Sequence, residues 1–330
     1  MSEQEPAPGG AQTPPEPTGP PSEQGQPDHA AMSRVFGPAP MYSLTGEPSP
    51  PTPVLVVCLD GWVDAGMAAA TALTGLLESV EMRPYAIFDS EQLIDQRARR
   101  PHLIVSDGMN KGLTWPEPVL NVGVDRLGSG VAVLSGPEPD FRWRGFAAAV
   151  TELARGMGVR LMVGFGGFPA AAPHTRPVKL AATATTPELA QQIGFVPGAI
   201  EVPAGIESVL ELELSRVGIP AVGLWARVPH YVAAMPFPAA AVVLLDGLAS
   251  VSGLVIDSEV LSEAAEAARA RVDELIGQSR EHLAMVRQLE RSLDELEGRP
   301  ASFDERDMAS GDEIAAELER YLRGQNGDHE

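Results

Sequence analysis

Val54 to Thr71 reads VLVVCLDGWVDAGMAAAT, and it passes from a continuous apolar run into an alanine-rich segment through a tight turn. Val54, Leu55, Val56, Val57, Cys58 and Leu59 have the unbroken β-branched and aliphatic character of a strand covered on both faces. Asp60-Gly61-Trp62 breaks that run. Asp64 stands where a side-chain oxygen caps a helix, and Ala65, Gly66, Ala68, Ala69 and Ala70 are small enough for that helix to lie close on the sheet. A buried strand, a turn and a close-packed helix predict an α/β fold with a site at the carboxyl end of the strand.

Working outward, apolar runs alternate with helical patterns from about residue 53 to 256, the signature of a three-layer, mainly parallel sheet with crossover helices. Strands are expected at Val54–Leu59, Tyr85–Phe88, Leu103–Val105, Leu120–Val124, Gly130–Leu134, Leu161–Phe165, Val178–Ala184, Ala221–Val228 and Val242–Leu245. The clearest helices run from Asp64 to Val80, Arg144 to Met157 and Pro203 to Val217. Gly158-Val159 and Gly218-Ile219-Pro220 are helix stops ahead of strands.

The chain divides into four parts. Residues 1–50 form a Pro/Gly-rich leader too poor in large apolar residues to offset ordering entropy, although Arg34-Val35-Phe36 and Met41-Tyr42-Ser43-Leu44 are candidate docking points on the core. Residues 51–256 are the α/β core. Residues 257–298 form one long helix or a helical hairpin, with Leu261, Ala265, Ala268, Val272 and Leu275, then Val286, Leu289, Leu293 and Leu296, in steps of three and four; Gly277-Gln278-Ser279 marks the bend of a hairpin. Residues 299–330 hold a short helix announced by the capping pair Ser310 and Glu313 and stopped at Gly324, with a flexible acidic end.

The net charge of −21 is uneven, because from Asp257 onward 20 acidic residues face 9 basic ones. Such a balance excludes a nucleic-acid footprint and an anionic membrane partner, both of which need clustered Lys and Arg. One cysteine, Cys58, inside the first core strand, excludes an internal disulfide and a multi-cysteine zinc site. No leader with a basic start and an apolar centre is recognisable, and no apolar run reaches the roughly 20 residues of a spanning helix, so a cytoplasmic setting is expected. No His-Glu-x-x-His, Cys-x-x-Cys or Gly-x-Ser-x-Gly motif occurs, and neither a metal nor a cofactor is expected.

Four segments can carry chemistry. Asp60, Gly61, Trp62, Asp64 and Gly66 stand where helix-terminal N–H groups face a crevice, able to hold an anion or a sugar hydroxyl, or simply to close the turn and cap the helix. Gly164-Phe165-Gly166-Gly167-Phe168-Pro169 has the look of a phosphate-cradling loop but puts Pro169 where the dinucleotide pattern needs its third glycine, and reads better as a tight turn. Pro173-His174-Thr175-Arg176-Pro177 holds His174, Thr175 and Arg176 between two prolines, as an anion clamp or an interface loop. Glu138 and Arg142, in the polar break Gly136–Trp143, offer a carboxylate for acid–base work if another element supplies a partner, and otherwise a helix-capping cluster.

The order of these segments resembles the proteasome assembly chaperone 2, or PAC2, family in its actinobacterial form. The resemblance is carried by Gly61-Trp62-Val63-Asp64-Ala65-Gly66 with Ala69-Ala70-Thr71, Phe88-Asp89, Asp95, Arg100-Pro101, Thr114-Trp115-Pro116, Gly136-Pro137-Glu138-Pro139 with Arg142-Trp143 and Phe146, and Pro173-His174-Thr175-Arg176-Pro177. It covers about Pro53 to Leu254 and continues more loosely into the C-terminal helices. It implies a core similar to the phosphorylase/hydrolase-like fold, a homo-oligomer of trimeric type, and chaperone relatives that bind proteasome α-subunits through flexible C-terminal segments. No residue-level function comes with it.

Beside a purely structural trimer with no ligand, two functional readings stand at this point. One is a non-enzymatic assembly or interaction protein meeting a partner through its acidic C-terminal helices. The other is a small-molecule binder or enzyme, related by fold to nucleoside phosphorylases and nucleosidases, using a crevice between the Asp60–Gly66 and His174–Arg176 loops.

Overall fold

The computed structural model describes residues 40–46 and 48–298; the contact expected of Arg34–Phe36 and the helix expected from Ser310 to Gly324 lie outside them. In chain order the elements are β1 (Tyr42–Leu44), β2 (Val54–Asp60), α1 (Ala68–Ser79, entered through a 3-10 turn at Ala65–Met67), β3 (Met82–Phe88), α2 (Ser90–Leu93), β4 (His102–Ser106), β5 (Met109–Thr114), β6 (Val119–Val124), β7 (Gly130–Pro137) and α3 (Trp143–Met157). The second half adds β8 (Leu161–Ala170), β9 (Leu180–Ala184), α4 (Pro187–Ile193), α5 (Ile206–Arg216), β10 (Ala221–Pro229), α6 (Pro238–Ser252), α7 (Glu259–Gly277) and α8 (Arg280–Gly298).

Eight strands form one sheet in the order β1-β3-β6-β7-β2-β8-β10-β9. Its centre, β7-β2-β8-β10, is parallel, and the margins on both sides are antiparallel. β2 lies at the middle and is buried on both faces, as its unbroken apolar run predicts. Val54, Val56 and Cys58 face one core with α1 and α6, whereas Leu55 and Val57 face the other with α3 and α5. The result is a helix–sheet–helix sandwich, with the α7–α8 hairpin laid over α6 through Val272, Ile276 and Val286. The bend falls at Gln278-Ser279, where Gly277 interrupts the apolar seam.

Three differences from the sequence-based expectation have physical causes. Val242–Leu245 is helical, within α6, whose apolar residues surround it because the sheet covers one side and α7 the other. Gly164–Pro169 is not a loop but part of β8, in parallel register with Gly223–Val228 of β10. Leu103–Val105 is a strand, but it pairs with β5 in a separate two-stranded ribbon outside the main sheet. In the leader, Tyr42–Leu44 pairs antiparallel with β3, so the expected docking of this segment takes the form of an added edge strand.

Candidate functional site

At the carboxyl ends of the central strands lies a pocket of about 100 Å³. Asp60, Gly61 and Trp62 reach it from the end of β2, Asp64 from the turn before α1, Glu138 from the end of β7, and Gly205, Ile206 and Glu207 from the start of α5. Phe165 of β8 and Trp225 of β10 complete the wall. Sheet topology places it where such sites form, because β7 and β8, the parallel neighbours of β2, bring their chains to it from opposite sides.

The helix termini here are already occupied. Asp64 accepts hydrogen bonds from Ala69 N at 2.7 Å and Ala70 N at 3.1 Å, capping α1 across the 3-10 turn as its position predicts. Glu138, itself buried, accepts from Ile206 N at 2.6 Å and so caps α5, a helix some 70 residues further along the chain. Protein carboxylates thus fill the positions that a bound anion would take.

Glu207 and Glu211 lie one turn apart on α5, over Gly164 of β8 and Gly223 of β10, which are register partners in the sheet. A Cβ on Gly164 would run into the Glu207 carboxyl, and a Cβ on Gly223 would sit 2.6 Å from Glu211 Oε1. Paired glycines therefore hollow the sheet so that two carboxyls can rest on it. Glu211 accepts from Thr183 Oγ1 at 3.1 Å, whereas the buried Oε1 of Glu207 has no hydrogen-bond partner among the described residues. Gly166 serves a similar end, leaving room for the Trp225 ring, whose Nε1 donates to Thr183 Oγ1 at 3.1 Å.

Burial raises the pKa of every carboxyl on this wall. Glu207 is held well above the usual range by burial, then by the charges of Glu211 and Glu138. Glu211 is pushed up to about 7 by burial, against the Thr183 hydrogen bond. Asp60, Asp64 and Glu138 are raised by burial too, with Arg99 opposing it at Asp60 and helix N–H groups opposing it at Asp64 and Glu138. The Cys58 thiol, buried at the pocket floor, is pushed up by burial and by Glu207, Asp64 and Asp60. Arg99 borders the site, donating to the Glu138 carbonyl and facing Asp140 at 3.6 Å.

Of the residues singled out in the sequence, Asp60, Gly61, Trp62, Asp64 and Glu138 line this pocket; Gly66, Arg142, His174, Thr175 and Arg176 do not. Gly66 takes a positive φ of 68° in the turn and exchanges backbone hydrogen bonds with Ala233 and Phe237. Arg142 occupies a left-handed position at the start of α3 and bonds Gln92. His174–Arg176 faces the C-terminal hairpin instead. His174 is buried, with Nδ1 2.7 Å from Tyr231 Oη and Nε2 3.0 Å from Asp273 of α7. Thr175 donates to Glu290, and Arg176 forks onto Asp294 at 2.9 and 3.1 Å while reaching Glu290 at 3.3 Å. The expected crevice between the two loops is therefore replaced by an acidic pocket at one loop and a hairpin staple at the other.

Glu207 and Glu211 were not apparent as site residues, since in sequence they are ordinary charges on an amphipathic helix. The signal that could have found them is the pair Gly164 and Gly223 in neighbouring strands, which requires a large group from the covering helix. Among the described residues no three His, Cys, Asp or Glu side chains converge as a metal-holding group, and no helix is long and apolar enough to cross a membrane.

An eight-stranded α/β sandwich with a carboxylate-lined pocket and a stapled helical hairpin defines the class of protein. The chain belongs to the PAC2 family, whose model matches residues 58–276. It is similar to a Mycobacterium tuberculosis protein of unknown function, at 33% identity and a TM-score of 0.75, over 86% of this chain and 97% of that one. A second M. tuberculosis protein, described as a proteasome-assembly chaperone homologue, is 33% identical with a TM-score of 0.65, over 71% of this chain and 99% of that one. An archaeal proteasome activator from Pyrococcus furiosus, at 15% identity and a TM-score of 0.55 over 71% of this chain and 97% of that one, shares the fold. No curated protein matches the sequence.

Proposed function

We propose that this chain is a homo-oligomeric, non-enzymatic assembly protein with a proteasome-assembly-chaperone-like role, working in the cytoplasm as a trimer that meets a protein partner through its C-terminal helices and the residues beyond them. The observation that carries this reading is the β4–β5 ribbon. Every residue from His102 to Trp115 is exposed, including Leu103, Ile104, Val105, Met109, Leu113 and Trp115. A lone two-stranded ribbon is marginal in water, and so many large apolar side chains exposed on one short ribbon mark a contact surface.

The occupant that fits is a second copy of the chain. The ribbon and its approach carry Arg97, Arg99, Arg100 and Lys111 against the single acid Asp107, on a chain whose net charge is −21. The α7–α8 hairpin exposes Glu259, Glu263, Glu266, Asp273, Glu274, Glu281, Asp294 and Glu295 against Arg269, Arg271, Arg280, Arg287 and Arg291, a net acidic excess of the sign that this arm seeks. The proteasome part of the reading rests on the family and on what its relatives are described as doing. Its test is binding of the purified full chain to purified proteasome core particles from its own organism. Binding that is lost when residues 299–330 are removed, with the oligomer intact, is the expected result; absence of binding by the full chain contradicts it.

A further inference from the structure

The pocket at the carboxyl ends of β2 and β7 has a charge pattern that its structural duties leave unexplained. Asp64 and Glu138 cap helices, and Glu211 is bonded to Thr183. Glu207 does none of this. Its carboxyl rests on Gly164, lines the pocket, and has its buried Oε1 without a partner among the described residues. A buried acceptor left unsatisfied costs on the order of 1–3 kcal/mol, more when charged, so a chain that keeps one has a use for it.

No Lys, Arg or His lines the pocket, while Asp60, Asp64, Glu138 and Glu207 do, together with the aromatic rings of Trp62, Trp225 and Phe165. Carboxylates beside indole faces are what an ammonium group with an apolar body seeks: the charge is met by carboxylate and ring face, the body by the ring surface. An anion finds the opposite, since the N–H groups of α1 and α5 that would bind it already hold Asp64 and Glu138. At about 100 Å³ the pocket holds several waters' worth of ligand, one water occupying about 10–15 Å³ by the same measure.

We propose that this pocket is a binding site for a small organic cation, with its ammonium group seated against Glu207 and its apolar body against Trp62 and Trp225. The site is independent of the assembly role and of the ribbon. Occupancy is linked to protons. The groups facing Glu207 are Glu211 on its own helix, Glu138 from β7, Asp60 and Asp64 from the β2 turn and the Cys58 thiol, with Arg99 as the nearby cation beyond the rim. Burial and the charges of Glu211 and Glu138 favour the protonated form of Glu207, whereas an ammonium beside it favours the ionised form, so binding and proton release are coupled.

Benzylamine is a suitable probe, with benzyl alcohol as its neutral counterpart, added to the full-length protein and followed by tryptophan fluorescence and calorimetry. Benzylamine is expected to bind saturably, at least about tenfold more tightly than the alcohol, and Glu207→Gln is expected to remove about tenfold of that affinity while leaving the oligomeric state and circular dichroism unchanged. Calorimetry in two buffers of different ionisation heat, repeated across pH, should report proton release on binding over the range in which Glu207 titrates. Equal affinity for amine and alcohol, no saturable binding of benzylamine, or unaltered affinity in Glu207→Gln would each overturn the proposal. Should that variant fail to fold, Trp62→Ala carries the test, because it removes an aromatic wall and leaves every carboxyl in place; unaltered benzylamine affinity there would equally overturn it.

Discussion

Gly164 and Gly223 stand side by side in β8 and β10, and between them they explain why α5 can carry two glutamates on its sheet-facing side. Gly164→Ala forces its methyl into the Glu207 carboxyl, and overpacking of this kind costs about 1–3 kcal/mol. Thermal unfolding of the single variant should show that loss, and adding Glu207→Ala should restore part of it. The second residue-scale prediction concerns pH. Glu211 has its folded pKa raised from 4.5 to about 7, so the folded state holds this proton over a range where the unfolded chain has lost it. Stability tied to Glu211 is therefore complete below about pH 4.5 and falls as the pH rises to about 7. The loss is on the order of 3 kcal/mol. Chemical denaturation at pH 5 and pH 8 should show a smaller decline in Glu211→Gln than in the parent. None of this is visible in the primary structure, where Glu207 and Glu211 read as solvent-facing charges. Asp60, Asp64 and Glu138 were legible because turn chemistry and strand ends are local, whereas a carboxyl lying on a glycine two strands away is a tertiary fact.

Elements that announce themselves by period and caps follow the sequence closely. β2, α1, α3 and the hairpin α7–α8 owe their form to uniform burial, a reaching Asp64, a 3.6-residue stripe and a glycine break, all local signals. α6 defeats that reading because it is apolar on all but the side of Asp246 and Ser250, and period alone does not separate a short stretch of such a helix from a buried strand. At this scale the His174–Arg176 segment becomes a staple, since its three side chains all meet carboxylates of α7 and α8. Arg176 and Asp294 are both substantially exposed, so Arg176→Ala should cost up to about 1 kcal/mol and should loosen α8 in hydrogen exchange without melting the sheet. Ile276, buried where α7 meets the core, should cost about 2–4 kcal/mol as Ile276→Ala. Exchange protection of α8 unchanged in both variants would show that the hairpin is held by other contacts.

For the whole molecule, the sheet sandwich holds both cores, and no residue of the ribbon β4–β5 enters either of them. Its strands contact each other and its apolar residues face water on both sides. Leu103–Val105 reads in the sequence as a strand of the main sheet, because an apolar run does not tell which strand it pairs with. The central claim, that this protein acts as an oligomer assembled through that ribbon, is tested most directly by sedimentation velocity on the full chain and on Leu103→Lys/Leu113→Glu. That pair places opposite charges at facing positions, so the ribbon stays paired while its apolar surface is lost. A trimer for the parent and a folded monomer for the variant are predicted. A monomeric parent, or a variant that sediments as the parent does, would contradict the account.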